Sequence, residues 1–316
     1  MAEAPLFSLI LCTANTEGRR REIERLLVSL RAQEERDFEV IVVDQNPEFD
    51  ITPLLAPHLG ALRLFHIQAP RGLSRSRNRG LEIARGRYAA FPDDDCWYAP
   101  DILARVRDLF AEAPGRQAVH GRGSDPETGL DMARFDTAPG AVTLDKVMER
   151  SVSCGLFYRT EPLREIGGFD EALGLGSGTP WVGCEDYDLP IRMLLGGAEI
   201  EYRPDLVIYH PCPSLHYTAE TVARAASQSP SFGLMLTRHP LGAVQAGKRL
   251  IRPLAGGALA LFAGRGMKAR YHWAAFSGRL RGAWAGRALR RATGLAAFPA
   301  LPHLPQPAPL AQTKAR

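Results

Sequence analysis

The chain has 316 residues, 45% hydrophobic and 23% charged, a globular balance that excludes global disorder. Its five cysteines, Cys12, Cys96, Cys154, Cys184 and Cys212, are scattered without a CxxC pair, which argues against a disulfide framework or a zinc site and fits a reducing compartment. The net charge of +4 hides an asymmetry: residues 1–220 carry all 35 acids against 24 Lys/Arg, a balance of −11, whereas residues 221–316 carry 15 Lys/Arg and no acid.

In chain order, the first apolar run, Phe7 to Cys12, reads as a buried strand. It lacks the charged flank and length of a signal peptide, and no 18 consecutive apolar residues occur anywhere, so a cytoplasmic location is expected. A polar loop, Thr13 to Gly18, leads to a helix over 20–34 with apolar Ile23, Leu26, Leu27 and Leu30. Strands follow at 38–43 and 62–67, a helix capped by Ser74 runs to about Ala84, and a fourth strand, 88–91, ends at Asp93-Asp94-Asp95. Residues 100–113 read as a helix, 121–140 as loop or hairpin, and 152–158 as a strand. Strands alternating with helices predict a mostly parallel α/β sheet, whose ligands bind beyond the carboxyl ends of the strands. No GxGxxG follows the first strand and no GxxxxGK[ST] occurs, which disfavours a dinucleotide dehydrogenase or a P-loop enzyme.

Four segments, in order, carry a resemblance to the family 2 glycosyltransferases: LILCTAN…VIVVDQNP, GLSRSRNRGLEIARGRYAAFPDDD, GGFDEALG…GCEDYDLPIRMLLGG and IEYRPDLVIYH. The resemblance covers roughly residues 5–212. It implies a GT-A fold, a mixed sheet flanked by helices, and an inverting transfer of a sugar from a nucleoside diphosphate (UDP or dTDP) to a glycan or lipid-linked hydroxyl. One departure is visible: Gln45 stands where the family commonly has a second acid after Asp44.

Three adjacent carboxylates repel, and a Mg2+ or Mn2+ ion would relieve them while neutralising a diphosphate leaving group. By resemblance, Asp95 is the direct metal ligand, Asp93 lies nearer the ribose or a metal-bound water, and Asp94 belongs to the same cofactor site. His210, after the strand at 206–209, is the implied further ligand. The same resemblance makes Asp186 the base and Glu185 its support, although acids in a first helical turn also have a plain dipole explanation. Asp44 could accept the N3–H of a uracil or thymine ring, with Thr13 and Asn15 alongside the base or ribose. Arg77 and Asn78 match the family's segment and could contact the diphosphate. Gly168, Phe169 and Trp181 are expected to shape the acceptor side.

The extension over 221–295 mixes Arg and Lys with aromatic and aliphatic patches. Such basic amphipathic helices fit a peripheral anchor on anionic lipid, here at the inner face of the plasma membrane, and no motif of the body points to nucleic acid. The remainder, 296–316, is Pro-rich and expected to be disordered. The three units expected are thus 1–220, 221–295 and 296–316. A catalytically silent nucleotide-sugar-binding scaffold is the alternative reading.

Overall fold

The computed structural model describes residues 3–212 and 216–293, so the Pro-rich tail expected over 296–316 lies outside the described residues. The chain runs β1 (Phe7–Thr13), α1 (Arg20–Arg31), β2 (Phe38–Asp44), the single turn α2 (Thr52–Leu55), β3 (Arg63–Gln68), α3 (Leu73–Ile83), β4 (Tyr88–Ala90) and β5 (Trp97–Tyr98). It continues with α4 (Ile102–Glu112), β6 (Ala118–Ser124), β7 (Gly140–Ala141), β8 (Leu156–Arg159), α5 (Thr160–Glu165), α6 (Glu185–Leu195) and β9 (Ile200–Tyr209). The basic region then folds as α7 (Ala219–Arg238), α8 (Ala243–Phe262) and α9 (Gly266–Thr293).

The strands join in one sheet of order β3-β2-β1-β4-β8-β6-β9-β5, with β7 on β9. Strands β1 to β4 are mutually parallel, β8 runs against both β4 and β6, and β9 is parallel to β6. The carboxyl ends of β1, β2, β4 and β9 therefore emerge on one edge. Register fixes this: Thr13 pairs with Asp44, and Asp93 forms an isolated parallel bridge with Cys12.

Every residue of β1 and β2 is buried, because helices cover both faces of the sheet. Alternate side chains feed two cores. Leu9, Leu11, Val40 and Val42 pack with Leu26 of α1 and Phe110 of α4, while Ile10, Ile41 and Val43 pack with Leu81 of α3, Leu189 of α6 and Met235 of α7.

Local expectations needed correction in three places. Residues 121–124 belong to β6 rather than to a loop. Gly121 is there because a Cβ would run into the Leu206 carbonyl of neighbouring β9, so the glycine marks close strand approach rather than a turn. Ser74 does not cap α3; its hydroxyl donates to the Leu173 carbonyl at 2.7 Å, and Gly72 takes the N-cap position with φ 138. Strand β8 begins only at Leu156, after a 3-10 turn at Ser153–Gly155.

The basic helices are docked rather than loose. Gly278, Gly282 and Gly286 recur every four residues on α9 and face α7, where a Cβ on Gly282 would overlap the Pro230 carbonyl oxygen. Charged and hydrogen-bonded contacts bind this region to the acidic body: Arg238 pairs with Asp170 (2.7 Å) and stands 3.6 Å from Asp188, Arg249 pairs with Glu149 (2.8 Å), and His239 Nε2 lies 2.9 Å from Asp188. Part of the charge asymmetry in the sequence is resolved inside the molecule.

Candidate active site

The triple aspartate leaves the strand and turns. The Cys96 amide donates back to the Asp93 carbonyl at 3.1 Å and closes that turn. Each carboxylate has its own partners. Asp93 accepts from Arg77 Nη2 at 3.0 Å and from the Ser153 hydroxyl at 2.6 Å. Asp94 accepts from the Thr13 hydroxyl at 2.9 Å. Asp95 is held by Arg19 Nη1 at 2.5 Å and lies 2.9 Å from His210 Nε2.

These partners divide the charge unequally. Burial pushes Asp94 up to about 6, with Asp93 and Asp95 adding to the shift and the Thr13 hydroxyl and Arg19 opposing it. Burial also acts to raise Asp95, but its hydrogen bond and charge interaction with His210, together with Arg19, outweigh it and hold the group at about 2. His210 moves upward in turn: burial disfavours its charge, and Asp95 more than compensates.

The Asp95–His210 pair suits a divalent cation. His210 Nδ1 lies 2.8 Å from the Pro211 carbonyl, which can only accept, so Nδ1 carries the proton. Nε2 then faces a carboxylate oxygen and needs a proton or a cation between them. One carboxylate and one imidazole are the donors this chain would offer to such an ion. Among the described residues no group of three or more His, Cys, Asp or Glu is placed to hold a metal alone.

A cavity of about 450 Å3 opens at the carboxyl ends of β2 and β3, on the same edge of the sheet, lined by Asp44, Gln45, Pro47, Gln68, Ala69, Pro70 and Arg71. Asp44 is buried, and its Oδ1 accepts from the Asn46 backbone and side-chain N–H groups, each at 2.9 Å. Its Oδ2 has no hydrogen-bond partner; His66 Nε2 stands 3.7 Å away. A buried carboxylate oxygen left open beside a cavity is costly unless a ligand donor completes it. Gln45, the departure from the family pattern, has a visible use: its Oε1 accepts the Gly72 amide at 2.8 Å and anchors the start of α3. Asn15 is exposed on the β1–α1 loop, accepting the Gly18 amide at 3.3 Å, while Thr16 is buried and accepts from Asn46 Nδ2 at 2.8 Å.

Across the edge, Arg77 is almost wholly buried and bridges two acids, Asp93 and, through Nη1 at 3.2 Å, Glu185. Asp186 is half-buried beside them at the start of α6, where helix orientation favours acids, and Cys184 enters the helix in the left-handed region at φ 71. Burial first, then the adjacent Glu185, raises Asp186 to about 8 against the opposing Arg77. Burial likewise raises Glu185, with Arg77 opposing.

The expected roles of Asn78 and Phe169 change. Both amide N–H bonds of Asn78 are used, on the Phe169 carbonyl at 2.9 Å and Glu171 at 3.2 Å, so none is left for a phosphate. Phe169 is fully buried, edge-on to Phe91 at 4.8 Å, and is core rather than an acceptor face. Gly168, at φ 66, precedes it, and a Cβ there would sit 2.5 Å from Asn78 Oδ1. Trp181 remains half-buried on the loop entering α6. Sequence reasoning missed Arg19, Ser153, Thr16 and His66. Nothing in their local sequence distinguishes them, since each is brought in by register or loop path.

The sheet order and its acid-lined carboxyl edge define the class: the GT-A glycosyltransferase fold. The sequence profile of Glycosyl transferase family 2 matches residues 8–166, about half the chain, and the protein belongs to that family. The PGL/p-HBAD biosynthesis glycosyltransferase of Mycobacterium tuberculosis is 30% identical over 173 residues, covering 53% of this chain and 64% of the relative. The pre-mycofactocin glycosyltransferase of the same species is 25% identical over 231 residues, 69% of this chain and 45% of the relative. The match thus spans less than two thirds of the length of these curated relatives. Among solved structures, the mannosyltransferase PcManGT from Pyrobaculum calidifontis, in complex with GDP-Man and Mn2+, superposes with a TM-score of 0.60 at 20% identity, covering 90% of this chain and 88% of that one. S. aureus TarS 1-349 in complex with UDP-GlcNAc gives 0.56 at 19% identity, with 90% and 92% covered. At these identities the likeness is one of fold.

Proposed function

We propose that the protein is an inverting, metal-dependent glycosyltransferase that moves a sugar from UDP or dTDP to a hydroxyl of a glycan or lipid-linked acceptor. The observation that carries this reading is the open, buried Oδ2 of Asp44 beside a cavity on the edge that also holds Asp95, His210 and Asp186. The N3–H of uracil or thymine would complete Asp44, and adenine or cytosine has no matching donor at that position.

Asp95 and His210 would hold Mg2+ or Mn2+, which would supply positive charge for the departing diphosphate. Arg19 adds a fixed charge on the same carboxylate. Arg77, being tied to Asp93 and Glu185, acts by positioning those two acids rather than by touching phosphate. Asp186, raised to about 8, has proton affinity suited to taking the acceptor hydroxyl proton as that oxygen attacks the anomeric carbon from the face opposite the nucleotide. The loop carrying Trp181 supports the acceptor side.

The basic helices are read as holding the protein on an anionic membrane surface. No helix of the described residues is long and apolar enough to cross a membrane. Phe262 is 92% and Trp284 77% exposed, among arginines and lysines without a single acid beyond Glu220.

The test is a thermal-shift series with UDP, dTDP, GDP, CDP and ADP, each with and without Mn2+. The expected result is a Mn2+-dependent rise with UDP or dTDP that Asp95→Ala removes. No rise with any nucleotide overturns the donor-site assignment. An Asp186→Asn variant with full cellular activity favours the silent scaffold.

A further inference from the structure

A second cavity lies away from the candidate active site. It has a volume of about 600 Å3 and sits among α7, α8 and α9. One wall is apolar: Leu236, Leu241, Ala246 and Leu250. The α9 side carries Arg287, Arg290 and Arg291, three guanidinium groups at helical spacings of three and four residues. Among the described residues no carboxylate pairs with any of the three. None is available from their own region, since Glu220 is the last acid of the chain.

The outer face of α9 leads into this cavity. Trp273, Leu280 and Trp284 are exposed, and with Arg287 and Arg291 they follow spacings of seven, four, three and four residues, one stripe along the helix. Tryptophans beside arginines suit the boundary between lipid headgroups and chains, where an amphipathic ring is half wetted. An apolar wall facing a cluster of unpaired guanidinium groups is complementary to an anionic amphiphile, because guanidinium binds phosphate oxygens in pairs.

We infer that this cavity is a binding site for an anionic membrane phospholipid. Its phosphate would rest on Arg287, Arg290 and Arg291, and the start of its acyl chains on Leu236, Leu241, Ala246 and Leu250. The inference rests on the membrane-surface reading above and deepens it. General attraction to a charged surface becomes recognition of single lipid molecules at a site bordered by α7, the helix that also packs on α6.

The full chain is to be tested by co-sedimentation with vesicles of phosphatidylcholine alone and of phosphatidylcholine mixed with phosphatidylglycerol. A second measurement is the thermal shift given by dihexanoyl-phosphatidylglycerol below its micelle-forming concentration, with inorganic phosphate as comparator. Gly247→Phe blocks the cavity selectively: Gly247 lines it, and an added Cβ meets no atom within 4 Å. The expected results are a preference for the anionic vesicles that falls about five-fold for each of the three arginines changed to Gln, and a shift from the short-chain lipid that phosphate does not give and Gly247→Phe abolishes. An equal shift from phosphate, or a full lipid response in Gly247→Phe, overturns the site while leaving surface attraction standing. Absence of vesicle binding by the wild type removes the membrane reading and the site together. The wild-type response to short-chain lipid is decisive even if a variant fails to fold.

Discussion

His239 Nε2 lies 2.9 Å from Asp188 Oδ1, with both side chains fully buried, and this contact joins the basic C-terminal region to the acid-bearing helix two residues from Asp186. The other oxygen of Asp188 accepts from Arg192 Nε at 2.7 Å, and Arg238 stands 3.6 Å from Oδ1. The acid thus serves as a fastening between α6 and the segment that ends α7, which gives the third acid of the ED segment a structural task distinct from that of its neighbours.

Replacing Asp188 with Ala leaves the largely buried Arg192 and Arg238 without this shared counter-charge. Global stability should fall by about 3–5 kcal/mol, read from urea unfolding. Burial opposes ionisation of Asp188, but Arg192 and His239 hold it well below the usual carboxylate range. A depressed folded-state pKa contributes stability that is complete above the unfolded value, about 4, and is lost as pH falls further. Wild type should therefore weaken below about pH 4, and Asp188→Asn should weaken less steeply there.

Asp186→Asn should lower kcat by roughly 10²–10⁴-fold while nucleotide affinity and melting temperature stay near wild type. The proposed base works deprotonated, and its group sits at about 8, raised by burial and Glu185 against Arg77, with Asp93 also facing it. Wild-type kcat/KM, followed by nucleoside diphosphate release, should rise with pH through that value. A flat profile would remove Asp186 from the proton transfer.

Arg77→Met leaves Asp93 and Glu185 without their shared cation and should destabilise the fold by about 3–5 kcal/mol. Arg77→Lys should recover only part of this, because one ammonium on a flexible stem cannot reproduce two guanidinium N–H groups directed at two acids. Comparison of the two melting curves checks both statements.

Asp44→Asn turns an open acceptor into a group that can also donate. Calorimetry should show UDP or dTDP binding weakened roughly 10–100-fold, the worth of one hydrogen bond to a charged group. Binding of Mn2+ alone should be unchanged. Equal affinity in wild type and variant would place the base elsewhere.

Much of the strand framework was legible because it is written in local patterns. Phe7 to Cys12 and Phe38 to Val43 are apolar runs broken only by Ser8 and Glu39, which hydrogen-bond to each other at 2.7 Å, and burial of every residue in β1 and β2 accounts for them. The helical spacing of Ile23, Leu26, Leu27 and Leu30 gave α1. Patterns failed where a residue answers to a distant neighbour. Gly121 read as a turn because its constraint, the Leu206 carbonyl, is 85 positions away in sequence and adjacent only across β6 and β9. Asn78 and Phe169 read as ligand contacts because nothing local reveals that one clamps the other.

The sequence by itself determined the family, the order of the elements and the gathering of acids at strand ends, since hydrophobic periodicity and motif spacing are properties of neighbours along the chain. It also carried the charge asymmetry on either side of Glu220. Only the tertiary structure decided which basic side chain serves which acid: Arg77 between Asp93 and Glu185, Arg19 and His210 on Asp95, and His239 on Asp188. Charge attraction and burial act through space, and sequence distance does not enter either one.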